Sequence, residues 1–214
     1  MSCVSIEFDR SNHLQSRVNS SKVNIKGCVV LLLKEGVMKS PNALERQHRM
    51  LHYLSHMPRH ILDLPYEVRA TEFVLHDLCH EHCFDIDRAA YFVDNPDFNC
   101  LQGVAGFARE EAYPRCDHIW EEPNDFMKHM QSCLFNQKVQ KIMRCSIKKA
   151  SESDEDLAAE IARELGFKKH QFCSWNMKHD NHGLFVYEPK DENDDLIKEY
   201  LMNGVTLLSF CPVF

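Results

Sequence analysis

Ala89-Ala90-Tyr91-Phe92-Val93, Asp94-Asn95-Pro96-Asp97 and the run Leu101 to Phe107 form the stretch that decides the fold. Two apolar runs rich in strand formers flank residues that favour turns through local hydrogen bonding and backbone preference, and this predicts a β-hairpin. On its N-terminal side, Asn42 with Glu45 three residues on has the pattern of a capping box. Leu44, Met50, Leu51, Leu54 and Met57 then share one helical face before Pro58, where the run is expected to stop. A second helix is expected from Pro65 towards Cys83, with Val74, Leu75, Leu78, Cys79 and His82 on its apolar side and His76, His80 and Cys83 on its flank. Further upstream, Val23 to Leu33 reads as a strand behind a polar segment, residues 1–22.

Downstream of the hairpin, Pro123 opens a third helix with Phe126, Met127, Met130, Cys133 and Leu134 expected on its buried face. Residues 139–147 fit either a strand or a continuing helix. Residues 154–165 are a helix by Ser153 and Asp156 at its start, Leu157, Ile161 and Leu165 at four-residue spacing, and Gly166 where a left-handed residue is wanted. Strands are expected at 169–177 and 183–188 around His179-Asp180-Asn181-His182-Gly183, then a helix over about 192–202 with Gly204 after it, then a strand from Val205 to Phe210. The fold class is α+β: a mixed, mainly antiparallel sheet flanked by helices, in one domain over 23–214.

Composition bounds the function classes. With 214 residues the chain can bury a core without staples, and its net charge of −7, with basic residues in pairs such as Lys148-Lys149 and Lys168-Lys169, lacks the basic stripe of a nucleic-acid binder. The longest aliphatic run, Val29 to Leu33, is far below the roughly 20 residues of a membrane span, so no membrane partner is expected. No apolar leader core stands in residues 1–20, which predicts a cytoplasmic protein whose ten cysteines are mostly reduced thiols.

The order of elements, together with Glu81-His82-Cys83-Phe84-Asp85, Tyr91-Phe92-Val93 and Gly103 to Arg109, resembles the GNAT acyltransferase superfamily, nearest to acyl-homoserine-lactone autoinducer synthases. What the resemblance implies is transfer of an acyl group from a thioester, acyl-coenzyme A or an acylated carrier protein, to the amine of a small-molecule substrate. In that pattern Glu81 and Asp85 are the carboxylates that hold a cationic substrate, sharing a helix face if the helix extends that far, and Arg109 and Arg144 are the arginines after the third strand and on the fourth. Such chemistry needs a proton acceptor for the ammonium and a donor for the oxyanion. The sequence departs from the family in two places. Cys83 stands in the middle of the acidic pattern, and Ser151-Glu152-Ser153-Asp154-Glu155-Asp156 occupies the loop where acetyltransferases wrap a pyrophosphate. Four carboxylates there oppose a phosphate more strongly than a helix terminus of about half a charge attracts it. The alternative arm of this reading is a binding protein on the same scaffold.

A competing reading is a zinc-binding protein. His76-Asp77-Leu78-Cys79-His80-Glu81-His82-Cys83 packs five Cys or His residues into eight positions, and His76, His80 and Cys83 are its candidate ligands. Cys116 with His118, or His129 with Cys133, would complete the set. Cys79 reads as a core residue. The row His48, His52, His56 lies opposite the apolar stripe of its helix and reads as a solvated face, and His179 to His182 as a hairpin tip. Cys173 and His182 are a further pair that a hairpin would bring face to face.

Overall fold

The computed structural model describes residues 41–65, 68–115, 118–147, 153–190 and 195–211. The expected strand at 23–33 and the polar segment 1–22 lie outside the described residues. The elements are α1 (Pro41–Asp63), α2 (Ala70–Cys79), β1 (Ile86–Asn95), β2 (Cys100–Ala108), α3 (Pro123–Ser132), α4 (Leu134–Gln140), β3 (Met143–Arg144), α5 (Asp154–Leu165), β4 (Gln171–Asn176), β5 (His182–Pro189) and α6 (Asp195–Val205). Short 3-10 turns follow β2 at Arg109–Glu111 and α6 at Thr206–Phe210.

The strands form one sheet in the order β3-β2-β1-β5-β4, antiparallel at every pairing. The α+β class holds, whereas no parallel pair occurs among the described strands, so the mixed character expected of the sheet is absent there. β1 is central, which explains why Ala89 to Val93 is apolar without alternation: both faces are covered. Ala89, Tyr91 and Val93 join α2, α6 and part of α1 in one core. Ala90 and Phe92 join Leu184 and Val186, the α5 residues Leu157, Ile161 and Leu165, and Val139 of α4 in the other. Gly103 makes this second face possible, because a Cβ there would sit 2.0 Å from the Val139 carbonyl oxygen.

α5 is built as its sequence dictates: Ser153 Oγ accepts from the Asp156 N–H at 3.1 Å, and Gly166 closes the helix at φ 78°. The β1–β2 hairpin turns at 96–99 and the β4–β5 hairpin at His179 and Asp180, both left-handed.

Several elements depart from expectation. Pro58 does not end α1, which runs on to Asp63. An interior proline costs about 3 kcal/mol, offset here because Met57 is buried and Ile61 and Leu64 continue the stripe against the core. α2 begins at Ala70 and stops at Cys79, four residues short of Cys83. Residues 139–147 are neither one strand nor one helix: α4 ends at Gln140 and β3 is two residues long. Leu134, expected inside, is 73% exposed because a break at Cys133 separates α3 from α4 and swings it off the buried row. Gly204 lies inside α6 rather than after it; a Cβ would meet Phe84 at 2.7 Å and Leu78 at 2.8 Å, so it serves close packing. Residues 206–210 form a 3-10 turn and not a strand. Leu208 enters the core while Ser209 Oγ accepts from Trp175 Nε1 at 2.7 Å, and Trp175 in turn stacks on Tyr91. Among the described residues no helix is long and apolar enough to cross a membrane.

Candidate functional site: a charged pocket at one end of the sheet

Where α2 stops, the chain folds back on itself. The amides of Cys83 and Asp85 donate to the His80 carbonyl and that of Phe84 to the Leu78 carbonyl, while the side chains of Cys83 and Phe84 are fully buried. This pinned turn leaves Asp85 in the left-handed region at φ 53°, which Asp tolerates better than most residues, and starts β1 one residue later. Glu81 and Asp85 therefore do not share a helix face: Glu81 is exposed in the turn, and Asp85 lies beyond it against the end of the sheet.

Arg109 follows the last residue of β2, whose Ala108 is in register with Arg88 of β1. Its Nη2 donates to Asp85 Oδ1 at 2.6 Å and to the Ile86 carbonyl at 3.1 Å, and its Nε donates to Asp87 Oδ1 at 2.8 Å. Burial works against the guanidinium's charge, but the hydrogen bonds and charges of Asp85 and Asp87 outweigh it and hold Arg109 above its ordinary value. Lys190, just past β5, reaches Asp85 Oδ2 at 3.2 Å, so one carboxylate bridges two cations.

Beside this cluster opens a pocket of about 330 Å³ lined by Asp87, Arg88, Arg109, Glu110, Lys168 and Glu188. The β1–β5 register sets Arg88 opposite Glu188. Arg88 pairs with Glu110 at 2.8 Å and also donates to the Gly166 carbonyl, and Glu188 accepts the backbone N–H of Lys168 at 3.1 Å. The lining holds three cations and three carboxylates interleaved in space, so it presents both signs to a guest. Among the described residues its lining offers no thiol, hydroxyl or imidazole as a nucleophile. Its chemistry is recognition by charge-assisted hydrogen bonds.

Of the residues singled out for acyl transfer, Asp85 and Arg109 meet here. Glu81 is not part of the pocket lining. Arg144 sits on β3 and makes ion pairs with Glu160 and Glu164 of α5, each at 2.7 Å, which overcome the opposing effect of burial and raise its pKa. It clamps an edge strand to a helix. Lys168, Glu188 and Lys190 were missed by sequence reasoning: Glu188 and Lys190 reach the site through the pairing of β1 with β5, and Lys168, ahead of β4, through its backbone bond to Glu188.

The residues of the metal reading are arranged differently. His76 is fully buried; burial first, then the nearby His80 and His129, lower its pKa to about 3, so it is neutral. Its Nε2 accepts a long bond from the Tyr113 N–H at 3.4 Å, and Nδ1 has no hydrogen-bond partner among the described residues. The His76 and His80 rings stack with centroids 6.2 Å apart. Cys83 has left the helix that was to align it with them, and burial, then Asp77, pushes its thiol well above the usual range. His129 Nε2 donates to the Glu111 carbonyl at 2.7 Å, Cys133 Sγ lies 3.6 Å from the same oxygen, and His118 pairs with Glu121. Cys116 lies outside the described residues. Among the described residues no group of three or more His, Cys, Asp or Glu is placed to hold a metal ion.

Cys173 and His182 do not face each other: Cys173 is opposite Phe185, and His182 is opposite Asn176 and donates from Nε2 to Asp154 Oδ2 at 3.0 Å. Burial raises the Cys173 thiol to about 11, which leaves it a poor nucleophile.

Comparison with protein-family models, with curated proteins and with solved structures finds no match for this chain.

Proposed function

We propose that this protein binds a small zwitterion, a molecule carrying an ammonium and a carboxylate, in the pocket between Arg109 and Glu188. The observation that carries this is that Arg109, held by Asp85 behind it and by Asp87 beside it, lines a pocket whose six lining residues are three cations and three carboxylates. Carboxylates of the lining would take the ammonium, and Arg88 and Arg109 the carboxylate, by charge-assisted bonds. A pocket of about 330 Å³ fits a ligand of amino-acid size.

This is the binding arm of the resemblance to the GNAT superfamily. Acyl transfer shares Asp85 and Arg109 with it and would add a thioester donor, acyl-coenzyme A or an acylated carrier. Two observations favour binding alone. Glu81 is exposed in the turn and, unlike Asp85, makes no ion pair with Arg109 of the lining, and the first turn of α5 carries Asp154, Glu155 and Asp156, which repel the phosphates of a coenzyme.

The test is calorimetric titration with a panel of α-amino acids beside simple alkylamines and carboxylates. Zwitterions are expected to bind, single-charge analogues to bind roughly tenfold or more weakly, and Arg109→Gln to abolish the difference. Absence of zwitterion binding, or an unchanged profile in Arg109→Gln, removes the proposal. Mass transfer from an acyl thioester to the bound amine would replace it with the acyltransferase reading.

A further inference from the structure

His48, His52, His56 and His60 stand four residues apart on α1 and so lie in one row along the helix. The first three are exposed. The His52 and His56 rings are in contact, with centroids 4.3 Å apart, and the His60 ring lies 6.4 Å beyond His56.

The hydrogen bonds around His56 fix which of its nitrogens carries hydrogen. The His52 carbonyl oxygen, 2.8 Å from His56 Nδ1, can only accept. Ser55 Oγ gives its own hydrogen to that same carbonyl at 2.8 Å, so towards His56 Nδ1, 3.2 Å away, it too acts as an acceptor. Both contacts require Nδ1–H and leave Nε2 as a lone pair. A ring held by Nδ1–H to a backbone carbonyl, with Nε2 free, is the arrangement in which imidazoles bind metals.

We propose that His52 and His56 chelate one divalent first-row transition ion, of the nickel, copper and zinc group that imidazole suits, with water completing the shell. Two imidazoles one helical turn apart can reach a single ion, as paired histidines at this spacing do in helical metal sites. Hard ions such as calcium and magnesium are not candidates, because they take oxygen ligands. The surrounding charge permits a cation. Arg49 pairs with Glu45 at 3.1 Å and Arg59 with Asp63 at 3.8 Å. The site is independent of the charged pocket and of His76, His80 and Cys83.

Ni²⁺ is the probe, since the thiols of this chain would compete for zinc and for reduced copper. Calorimetric titration of the full chain at about pH 7.5 is expected to find binding that His52→Ala and His56→Ala each weaken roughly tenfold or more, while His80→Ala leaves it unchanged. The His52 and His56 ring-proton resonances should broaden selectively as Ni²⁺ is added. Circular dichroism verifies that each variant keeps its helix. No binding by the wild type, or a His52→Ala/His56→Ala double variant that retains wild-type affinity, overturns the proposal.

Discussion

His76 and Asp85 are nine residues apart in the chain and have opposite fates. His76 lies inside α2, where every side chain is buried, and it is held neutral by its surroundings. Asp85 lies past the end of that helix and pairs with both Arg109 and Lys190 beside the pocket. Past the helix Cys83 and Phe84 are still buried, but the acidic side chains Glu81 and Asp85 come to the surface there, whereas Asp77 inside the helix does not. A dense row of chemically able residues is therefore no guide to a site when the element carrying it is packed on all sides. Five Cys or His residues in eight positions became core and turn, whereas one Asp in a left-handed turn became the hinge of the charged cluster.

The sharpest way to test the buried half of this contrast is pH. A histidine whose folded pKa is depressed to about 3 costs stability once the unfolded chain can protonate it. Its contribution is complete above the unfolded pKa of about 6.5 and is lost progressively as pH falls from there towards the folded value. Wild-type stability should drop faster than that of His76→Gln by one proton's worth, about 1 kcal/mol per pH unit, between about pH 6 and pH 4. Denaturant unfolding at a series of pH values measures this. Parallel curves for the two proteins would mean that His76 exchanges protons with solvent in the folded state, and the contrast would collapse.

The same pair of residues shows how far the sequence could be read. α5 was legible end to end because Ser153 and Gly166 mark its limits by local chemistry, and the β1–β2 hairpin because its turn residues act within four positions. Pro58 misled, since its local cost is outweighed by the packing of residues on either side of it, a tertiary effect. Residues 205–210 misled for a related reason. A short apolar run fits strand and helix equally, and the bond from Trp175 to Ser209 is what fastens it as a 3-10 turn. In the site, Asp85 and Arg109 were reachable through a pattern spanning 24 residues. Glu188 and Lys190 were not, because they arrive through the pairing of β1 with β5, and no local signal in the sequence encodes that register.

The exposed half of the contrast can be tested by separating Asp85's charge from its backbone. Asp85→Asn keeps a residue that tolerates φ 53° but removes the ion shared by Arg109 and Lys190; Asp85→Ala removes both. Because these partners are partly exposed, screening limits the loss in Asp85→Asn to about 1 kcal/mol or less. Asp85→Ala should lose roughly 1 kcal/mol more from the left-handed backbone. Thermal and denaturant unfolding in low and high salt distinguishes the two, since only the charge component weakens with salt. Equal losses in Asn and Ala, or no salt dependence, would show that the turn is not held as described.

Glu81 is the control for the whole comparison, and its expected effect is the smallest. It is exposed, four residues before Asp85, on the turn that α2 leaves behind rather than on the helix itself. A substitution there that removes only a charge should change stability by no more than about 0.5 kcal/mol. In the zwitterion titration, Glu81→Gln should bind like the wild type, because Glu81 is not part of the pocket lining, and the pocket's charge pattern rests on residues beyond the turn. A clear loss of affinity in Glu81→Gln, with unfolding unchanged, would instead place this carboxylate on the ligand. The turn from His80 to Phe84 would then have to close over the pocket when the ligand binds, which would return the acidic pair Glu81 and Asp85 to a shared role.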